Sequence, residues 1–404
     1  MTNFTVQRLG HKGDGIADGP VYVPLTLPGE VVSGDLEDQR LRNVRIVTPS
    51  SDRIAPPCRH FKSCGGCQLQ HASDQFLENW KTDVVRAALG AHGLTPQFLP
   101  IHTSPPQSRR RAVLSARRTK KGAMAGFHAK ASDVIVEIPD CTLLHPDLIA
   151  VRPAVEALAI AGASRKQPLS VTLTQSEAGV DVMARGGKSL DGQLRIDLAG
   201  LAEAHDLARL AWEDEVIVTR NLPLQKFGPA LVLPPPGAFL QATAQGQAAL
   251  AQDVMRITSG ARQVVDLFAG CGTFALELAT RAAVHAVEGD AAMIEALDQG
   301  WRQAQGLRAV STEARDLFRR PLEPDELAKF DAAVIDPPRA GAEAQIATLA
   351  ASQIPVLAYV SCNPASFARD ARQLTDSGYV LGSVRVVDQF RWSSHVELVA
   401  EFTR

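Results

Sequence analysis

The stretch Val264-Val265-Asp266-Leu267-Phe268-Ala269-Gly270-Cys271-Gly272-Thr273 decides the fold of this chain. An apolar run leads into a glycine turn, and an alanine-rich helical stretch follows, which is the pattern of a buried strand passing into a helix. Glycines at such a turn let the backbone approach a ligand closely, and the start of the helix offers free N–H groups. Gly270, Gly272 and Ala275 also fit the dinucleotide pattern G-x-G-x-x-G/A, which is weak alone and admits NAD enzymes. The next apolar run ends in Glu288, positioned to accept bonds from a ribose diol. NAD and S-adenosylmethionine both carry that diol, so the stretch specifies an adenosine-containing cofactor and stops there. Glycines that only shape a tight turn are the plainer alternative.

Outward from this loop the pattern repeats. Apolar runs at Val284–Val287, Ala332–Ile335 and Val356–Val360 alternate with alanine-rich helical stretches, which predicts a parallel sheet covered by helices on both faces. The tail from Val384 to Phe402 has no room for a crossover helix, so an antiparallel hairpin is expected there. Upstream, residues 1–48 read as short strands punctuated by Gly10, Gly13, Gly15 and Gly29, the spacing of a small all-β barrel, with a linker at 48–52. Residues 53–225 are less regular, with a helix expected around Ser73–Gly90. The expected division is therefore 1–50, 51–230 and 231–404, an α/β chain with a small N-terminal barrel and a central domain.

At 404 residues, two or three domains are the default. No apolar run is long enough to span a membrane, and the N-terminus lacks the pattern of a signal peptide. A cytoplasmic location is expected, where six cysteines are not expected to form disulfides. The net charge of −2 gives no global argument for nucleic acid. Locally, Arg109, Arg110, Arg111, Arg117, Arg118, Lys120 and Lys121 fall in one acid-free stretch. That stretch reads equally as a phosphate-binding surface or as a solvated strand edge.

Cys58-x5-Cys64-Gly65-Gly66-Cys67 groups three thiols, and Cys141 lies well downstream. Thiolates are soft ligands, and the three-plus-one grouping favours an iron–sulfur cluster over zinc, which prefers two short pairs. Cys271, inside the glycine loop, reads as a plain loop residue.

Asp336-Pro337-Pro338-Arg339 follows a predicted strand and so lies at the carboxyl end of the sheet, where ligands bind in open α/β folds. It resembles the target-base loop of nucleic-acid methyltransferases. Ser361-Cys362-Asn363-Pro364 ends the next strand on the same rim. In the tail, His395-Val396-Glu397 is expected on a strand, with His395 and Glu397 on one face. Together these residues suit methylation of uracil at C5, a poor nucleophile that needs activation. Cys362 would add to C6, and Glu397 would remove the C5 proton so that the cysteine can leave.

The sequence resembles the RNA 5-methyluridine methyltransferases over nearly its whole length, in particular the iron–sulfur-bearing branch acting on 23S rRNA. Asp14-Gly15-Ile16-Ala17 and Leu27-Pro28-Gly29-Glu30 resemble the TRAM domain, an RNA-binding barrel of TRAM/OB-like form. The resemblance implies a Rossmann-like class I methyltransferase domain and [4Fe–4S] ligation by Cys58, Cys64, Cys67 and Cys141. It also implies cofactor contact by Gln241 of Phe239-Leu240-Gln241 and S-adenosylmethionine contacts at Phe268, Thr273, Glu288, Asp316 and Asp336, beside Gly270 and Gly272 of the loop. It implies that Cys362 is the nucleophile and Glu397 the base. Thr243 and Thr273 depart from the family's frequent Asn, and no proline follows Phe390.

A monomer acting on 23S rRNA is the expectation. The alternatives are the same chemistry on tRNA, an NAD-dependent oxidoreductase, and a non-catalytic RNA-binding ribosome-assembly factor. The cysteine group argues against the first, and Cys362 with Glu397 against the other two.

Overall fold

The computed structural model describes residues 2–404. Its C-terminal sheet carries the four parallel strands expected and one more, Val310–Ala314, that sequence reading did not anticipate, in the order Val310–Ala314, Ala283–Glu288, Gln263–Leu267, Ala332–Ile335 and Val356–Ser361. Glu397–Thr403 then inserts antiparallel between Val356–Ser361 and Val380–Asp388, the hairpin predicted for the tail. The apolar runs are unbroken because both faces are covered. Val265, Leu267, Ala333, Ile335, Leu357 and Tyr359 pack into one core. Their alternates Val264, Ala332, Val334, Ala358 and Val360 pack into another on the opposite face. Gln263–Leu267 pairs with Ala283–Glu288 on one side and Ala332–Ile335 on the other, so the strand order switches at its carboxyl end. Such a switch opens a crevice for ligands.

Two sequence expectations change here. Helix Asp74–Gly90, capped by Ser73 Oγ accepting from the Phe76 amide at 3.2 Å, packs on this sheet although it lies within the stretch expected to form the central domain. Strands Gln97–Phe98 and His102–Thr103 pair in parallel with Val380–Asp388 and extend the same sheet. The 51–230 division is thus crossed by residues 74–103. Val85 and Leu89 of the helix are buried in the sheet's core, and a contact that no local pattern announces joins them there: Lys81 Nζ reaches Asp388 Oδ1 at 2.6 Å, with both side chains almost fully buried.

The rest of the central segment forms a seven-stranded sheet in the order Ile135–Glu137, Ala123–His128, Arg111–Arg118, Leu169–Ser176, Gly179–Arg185, Arg209–Trp212 and Glu215–Thr219. Helices Arg152–Gly162 and Gly192–Ala204 help cover it around the buried Trp212. At the N-terminus, Asn3–Leu9, Gly15–Ala17, Val21–Val23, Val31–Glu37 and Arg40–Thr48 close into a five-stranded barrel. Val6, Ala17, Val21, Val23, Val32 and Leu41 fill it. Closure removes free sheet edges from a very small domain. No helix is long and apolar enough to cross a membrane among the described residues.

Candidate active site

The glycine loop follows strand Gln263–Leu267 at the switch point. Phe268 stands there at φ 62°, a conformation that costs free energy for a side-chain residue and persists only when its surroundings impose it. Gly272 has φ 94°, and a Cβ there would meet Leu297 Cγ at 2.7 Å, so glycine is required on both counts. Glu288 ends the adjacent strand. Its Oε2 accepts from the Gly270 amide at 3.0 Å and its Oε1 from the Asp290 amide at 2.9 Å. Each oxygen keeps a lone pair for a hydroxyl. Asp316 orders the neighbouring turn, with Oδ1 accepting from the amides of Phe318 and Arg319. The half-exposed Phe318, which sequence reading missed, stands with its ring 5.4 Å from that of Phe268. Thr273 is half-buried in the turn before helix Ala275–Leu278.

Carboxylates gather below this loop. Asp266 is fully buried, and the Ala275 amide is the one donor among the described residues near enough to favour its charged form. Burial, reinforced by the charge of Asp336, pushes its pKa well up. Asp336 is pushed up to about 7 by burial and by Glu288. Glu397 is pushed well above the usual carboxylate range by burial and by Asp336, against the opposing effects of Gln389 and Arg339. Buried, mutually repelling acids, with no cation among the described residues paired to Asp266 or Asp336, fit a cationic ligand, as a sulfonium or an ammonium group would be.

Cys362 sits half-buried at the bend after strand Val356–Ser361. Asn363 Oδ1 caps helix Pro364–Asp376 at the Ala365 amide (3.1 Å), and Asn363 Nδ2 donates to the Arg339 carbonyl at 2.8 Å. The asparagine thereby ties the two rim loops together. Burial, Glu397 and Asp336 raise the Cys362 thiol to about 11, while Arg339 opposes them. The resting thiol is therefore protonated at neutral pH, and the lowered pKa that a nucleophile needs is not built into the unliganded site.

Gln241 is buried, and its Nε2 donates to Asp336 Oδ2 at 3.2 Å. The segment that carries it is gripped by the run of arginines. Arg110 Nε donates to the Gln241 carbonyl, and Arg111 Nε and Nη2 donate to the carbonyls of Ala238 and Gly237. Arg110 is buried, which pulls it down to about 10. Neither a phosphate surface nor a solvated edge describes the whole basic stretch: Arg110 and Arg111 are internal struts, whereas Lys120 and Lys121 are exposed in the turn beyond.

The period-two reading of the tail also needs correction. The strand begins at Glu397, which is buried, while His395 lies before it and is exposed. Trp392, at φ 59°, turns the chain, and Ser393 Oγ accepts from the His395 amide, so strand pairing starts only at Glu397 opposite Val387. His395 Nδ1 instead lies 3.0 Å from Arg339 Nη2. Sequence reading missed Gln389 altogether; its Nε2 donates to Glu397 Oε2 at 3.0 Å.

The profile of the tRNA (Uracil-5-)-methyltransferase family matches residues 234–400. An uncharacterized RNA methyltransferase of Brucella suis is 44% identical, over 99% of this chain and 97% of its own length. The 23S rRNA (uracil(1939)-C(5))-methyltransferase RlmD of Chromohalobacter salexigens is 32% identical, over 99% of this chain and 89% of its own. The chain belongs to the RNA uracil-5-methyltransferase family. Among solved structures, the tRNA (uracil-54, C5)-methyltransferase of Pyrococcus abyssi in complex with S-adenosyl-L-homocysteine shares the fold, with a TM-score of 0.77 over 99% of each chain at 21% identity.

In this RNA methyltransferase, Cys58, Cys64, Cys67 and Cys141 line one pocket with Phe61, Phe127, Ile138 and Leu143, while Cys271 lies apart in the glycine loop. All six cysteines are free. Burial, aided by the neighbouring thiols, raises Cys67 to about 12 and raises Cys64 and Cys141 as well. Lys130 Nζ is buried beside them without a hydrogen-bond partner, 4.5 Å from the Phe61 ring centre. Four soft donors facing one pocket, next to an unpaired cation, fit an anionic thiolate-bound group. The side chains are not drawn into ligating geometry: no three His, Cys, Asp or Glu among the described residues converge on a metal position.

Proposed function

We propose that this enzyme transfers a methyl group from S-adenosylmethionine to C5 of a uridine in 23S rRNA, with Cys362 as nucleophile and Glu397 as base. The grouping of Cys362, Asp336 and Glu397 on one rim, close enough for both acids to raise the thiol, carries this reading. Cys362 loses its proton to solvent, and its Sγ bonds to uracil C6 while the C5=C6 electrons move onto the C4 carbonyl as an enolate. S-adenosylmethionine, when bound, would supply the electrophilic methyl on its sulfonium for C5, with S-adenosylhomocysteine as the leaving group. Glu397 then takes the C5 proton, C5=C6 re-forms, the Sγ–C6 bond breaks, and Cys362 leaves as thiolate. Gln241 and Asp336 hold the pocket floor through their mutual hydrogen bond. Phe268, Gly270, Gly272, Thr273, Glu288 and Asp316 are read as the cofactor's contacts, and Glu288 keeps acceptor capacity for its ribose.

The uridine must leave its stack to reach this recess. The N-terminal barrel, read as TRAM-like, and the exposed Lys120–Lys121 turn are assigned to RNA binding. Cys58, Cys64, Cys67 and Cys141 would hold a [4Fe–4S] cluster with a structural role, since methyl transfer needs no redox step. The protein is read as a cytoplasmic monomer.

The test is incubation with labelled S-adenosylmethionine and, separately, 23S rRNA and tRNA, followed by mapping of the modified nucleotide. Label at C5 of a 23S uridine is expected. Label in tRNA alone, a reading favoured by the names of the matching family profile and of the Pyrococcus structure, or on another base would overturn the substrate. Iron and zinc analysis of anaerobically purified protein, with Cys141→Ser as control, tests the cluster.

A further inference from the structure

Gln389, which directly follows strand Val380–Asp388, is 1% exposed and its amide is fully engaged. The backbone N–H of Ala242 donates to its Oε1 at 2.7 Å. A backbone N–H can only donate, so this bond fixes which end of the amide is which. Nε2 must then face the other way, where it donates to Glu397 Oε2 at 3.0 Å and to Gln241 Oε1. With its oxygen occupied as an acceptor, Gln241 presents Nε2 to Asp336. The result is a hydrogen-bond chain of one polarity. It starts at a backbone amide, forks at Gln389, and ends on the two carboxylates as an N–H donated to each. The stem of Gln389 is also confined, since a Cβ on Gly246 would lie 2.7 Å from its Cβ.

We propose that Gln389 is a positioning residue that aims Glu397 at the C5 proton and holds Gln241 against Asp336 in register with it. This rests on the reading of Glu397 as the base. Glu397 is faced by Asp336 and Arg339 from the loop after strand Ala332–Ile335, by Cys362 from the next strand end, and by Gln389 from its own hairpin. Burial and Asp336 favour its protonated form, and a donated N–H favours the charged one. Without that donor the carboxylate loses both its aim and the amide that favours its charged form, so C5 deprotonation slows and the methylated Sγ–C6 adduct between Cys362 and the uracil persists.

The experiment follows formation and decay of the protein–RNA adduct on denaturing gels, with labelled S-adenosylmethionine and a 23S rRNA transcript, between pH 6.5 and 9.5. Gln389→Met keeps the bulk and removes the donor. It is expected to form methylated adduct within a few-fold of the wild-type rate. It should resolve it at least about tenfold more slowly at pH 7.5, recovering about tenfold per pH unit as Glu397 is titrated. Gln389→Asn, with the same group on a shorter stem, provides a second test if the methionine variant folds poorly, and the same shift is expected. Formation and decay slowed equally, with an unmoved pH profile, would overturn the proposal. Glu397→Gln separates the two claims. If it resolves adduct as the wild type does, the base assignment fails. If it traps adduct while both Gln389 variants behave as wild type, only the role of Gln389 fails.

Discussion

The resting state of Cys362 makes a quantitative prediction. Burial, Glu397 and Asp336 place its thiol at about 11, so at pH 8 only about one molecule in 10³ carries the thiolate. An unperturbed cysteine of pKa ~8.5 would be about one quarter ionised at that pH. Iodoacetamide reacts with the thiolate, so alkylation of Cys362 in the ligand-free enzyme should run at least about a hundredfold slower than in the unfolded chain. Restricted access would also slow the reaction, but it would not change the pH dependence. The decisive quantity is therefore the slope. Pulsed alkylation read by peptide mass spectrometry should rise about tenfold per pH unit through pH 10, where an ordinary thiol has already levelled off. A plateau by pH 9 would refute the argument. Adding S-adenosylmethionine should shift the curve to lower pH, because a cation beside Asp336 offsets the acids that hold the thiol neutral.

Lys81→Met leaves Asp388 buried without its counter-ion and should cost about 3–5 kcal/mol, read from urea unfolding; a loss under about 1 kcal/mol would show that the pair is not what joins the helix to the sheet. Gly187 and Gly162 flank the Trp212 indole, where a Cβ would stand 2.0 and 2.2 Å from ring atoms, so alanine at either position should lower stability by about 1–3 kcal/mol in the same assay. Glu30 is fully buried; burial raises its pKa, but bonds from Arg53 and the amides of Leu27 and Ser50, with the Arg53 charge, hold it below its ordinary 4.5. A depressed folded pKa means that its contribution is complete above 4.5 and lost as pH falls through the folded value, so the stability gap between wild type and Glu30→Gln should close in acid. A gap that stays constant from neutral pH into acid would count against that assignment.

The C-terminal sheet was legible because burial on both faces writes strands as unbroken apolar runs, as at Ala332–Ile335 and Val356–Ser361. Asp336 and Cys362 were legible for the same reason, since each directly follows or nearly follows such a run. Arg110 and Arg111 were not, because a sequence shows charge but not the carbonyls of Gly237, Ala238 and Gln241 that consume it. His395 misled because alternation cannot tell a strand from a loop that turns at a left-handed Trp392. Gln389 carries no signal in itself. Its role depends on Ala242, Gln241 and Glu397, which the chain brings together only when folded. Strands of two residues, such as Gln97–Phe98, fall below any periodicity.

The loop between Asp388 and Glu397 links the cysteine loop to the start of the strand that carries Glu397. Lys81 Nζ donates to Asp388 Oδ1 and to the Phe390 carbonyl, and Arg391 Nη2 reaches both oxygens of Asp74. The amides of Gln68 and Leu69, immediately after Cys67, both donate to the carbonyl of Trp392 at 2.8 and 3.0 Å. Trp392 itself is buried in the core of the central segment. The strained turn that starts the strand of Glu397 is thus fastened to the cysteine loop by two hydrogen bonds. A metal group joining Cys58, Cys64 and Cys67 to Cys141 would close that loop on itself and fix where its two amides point. On this geometry a group bound there would act through the backbone of Gln68 and Leu69 on the turn that precedes Glu397, and no change of oxidation state would be required.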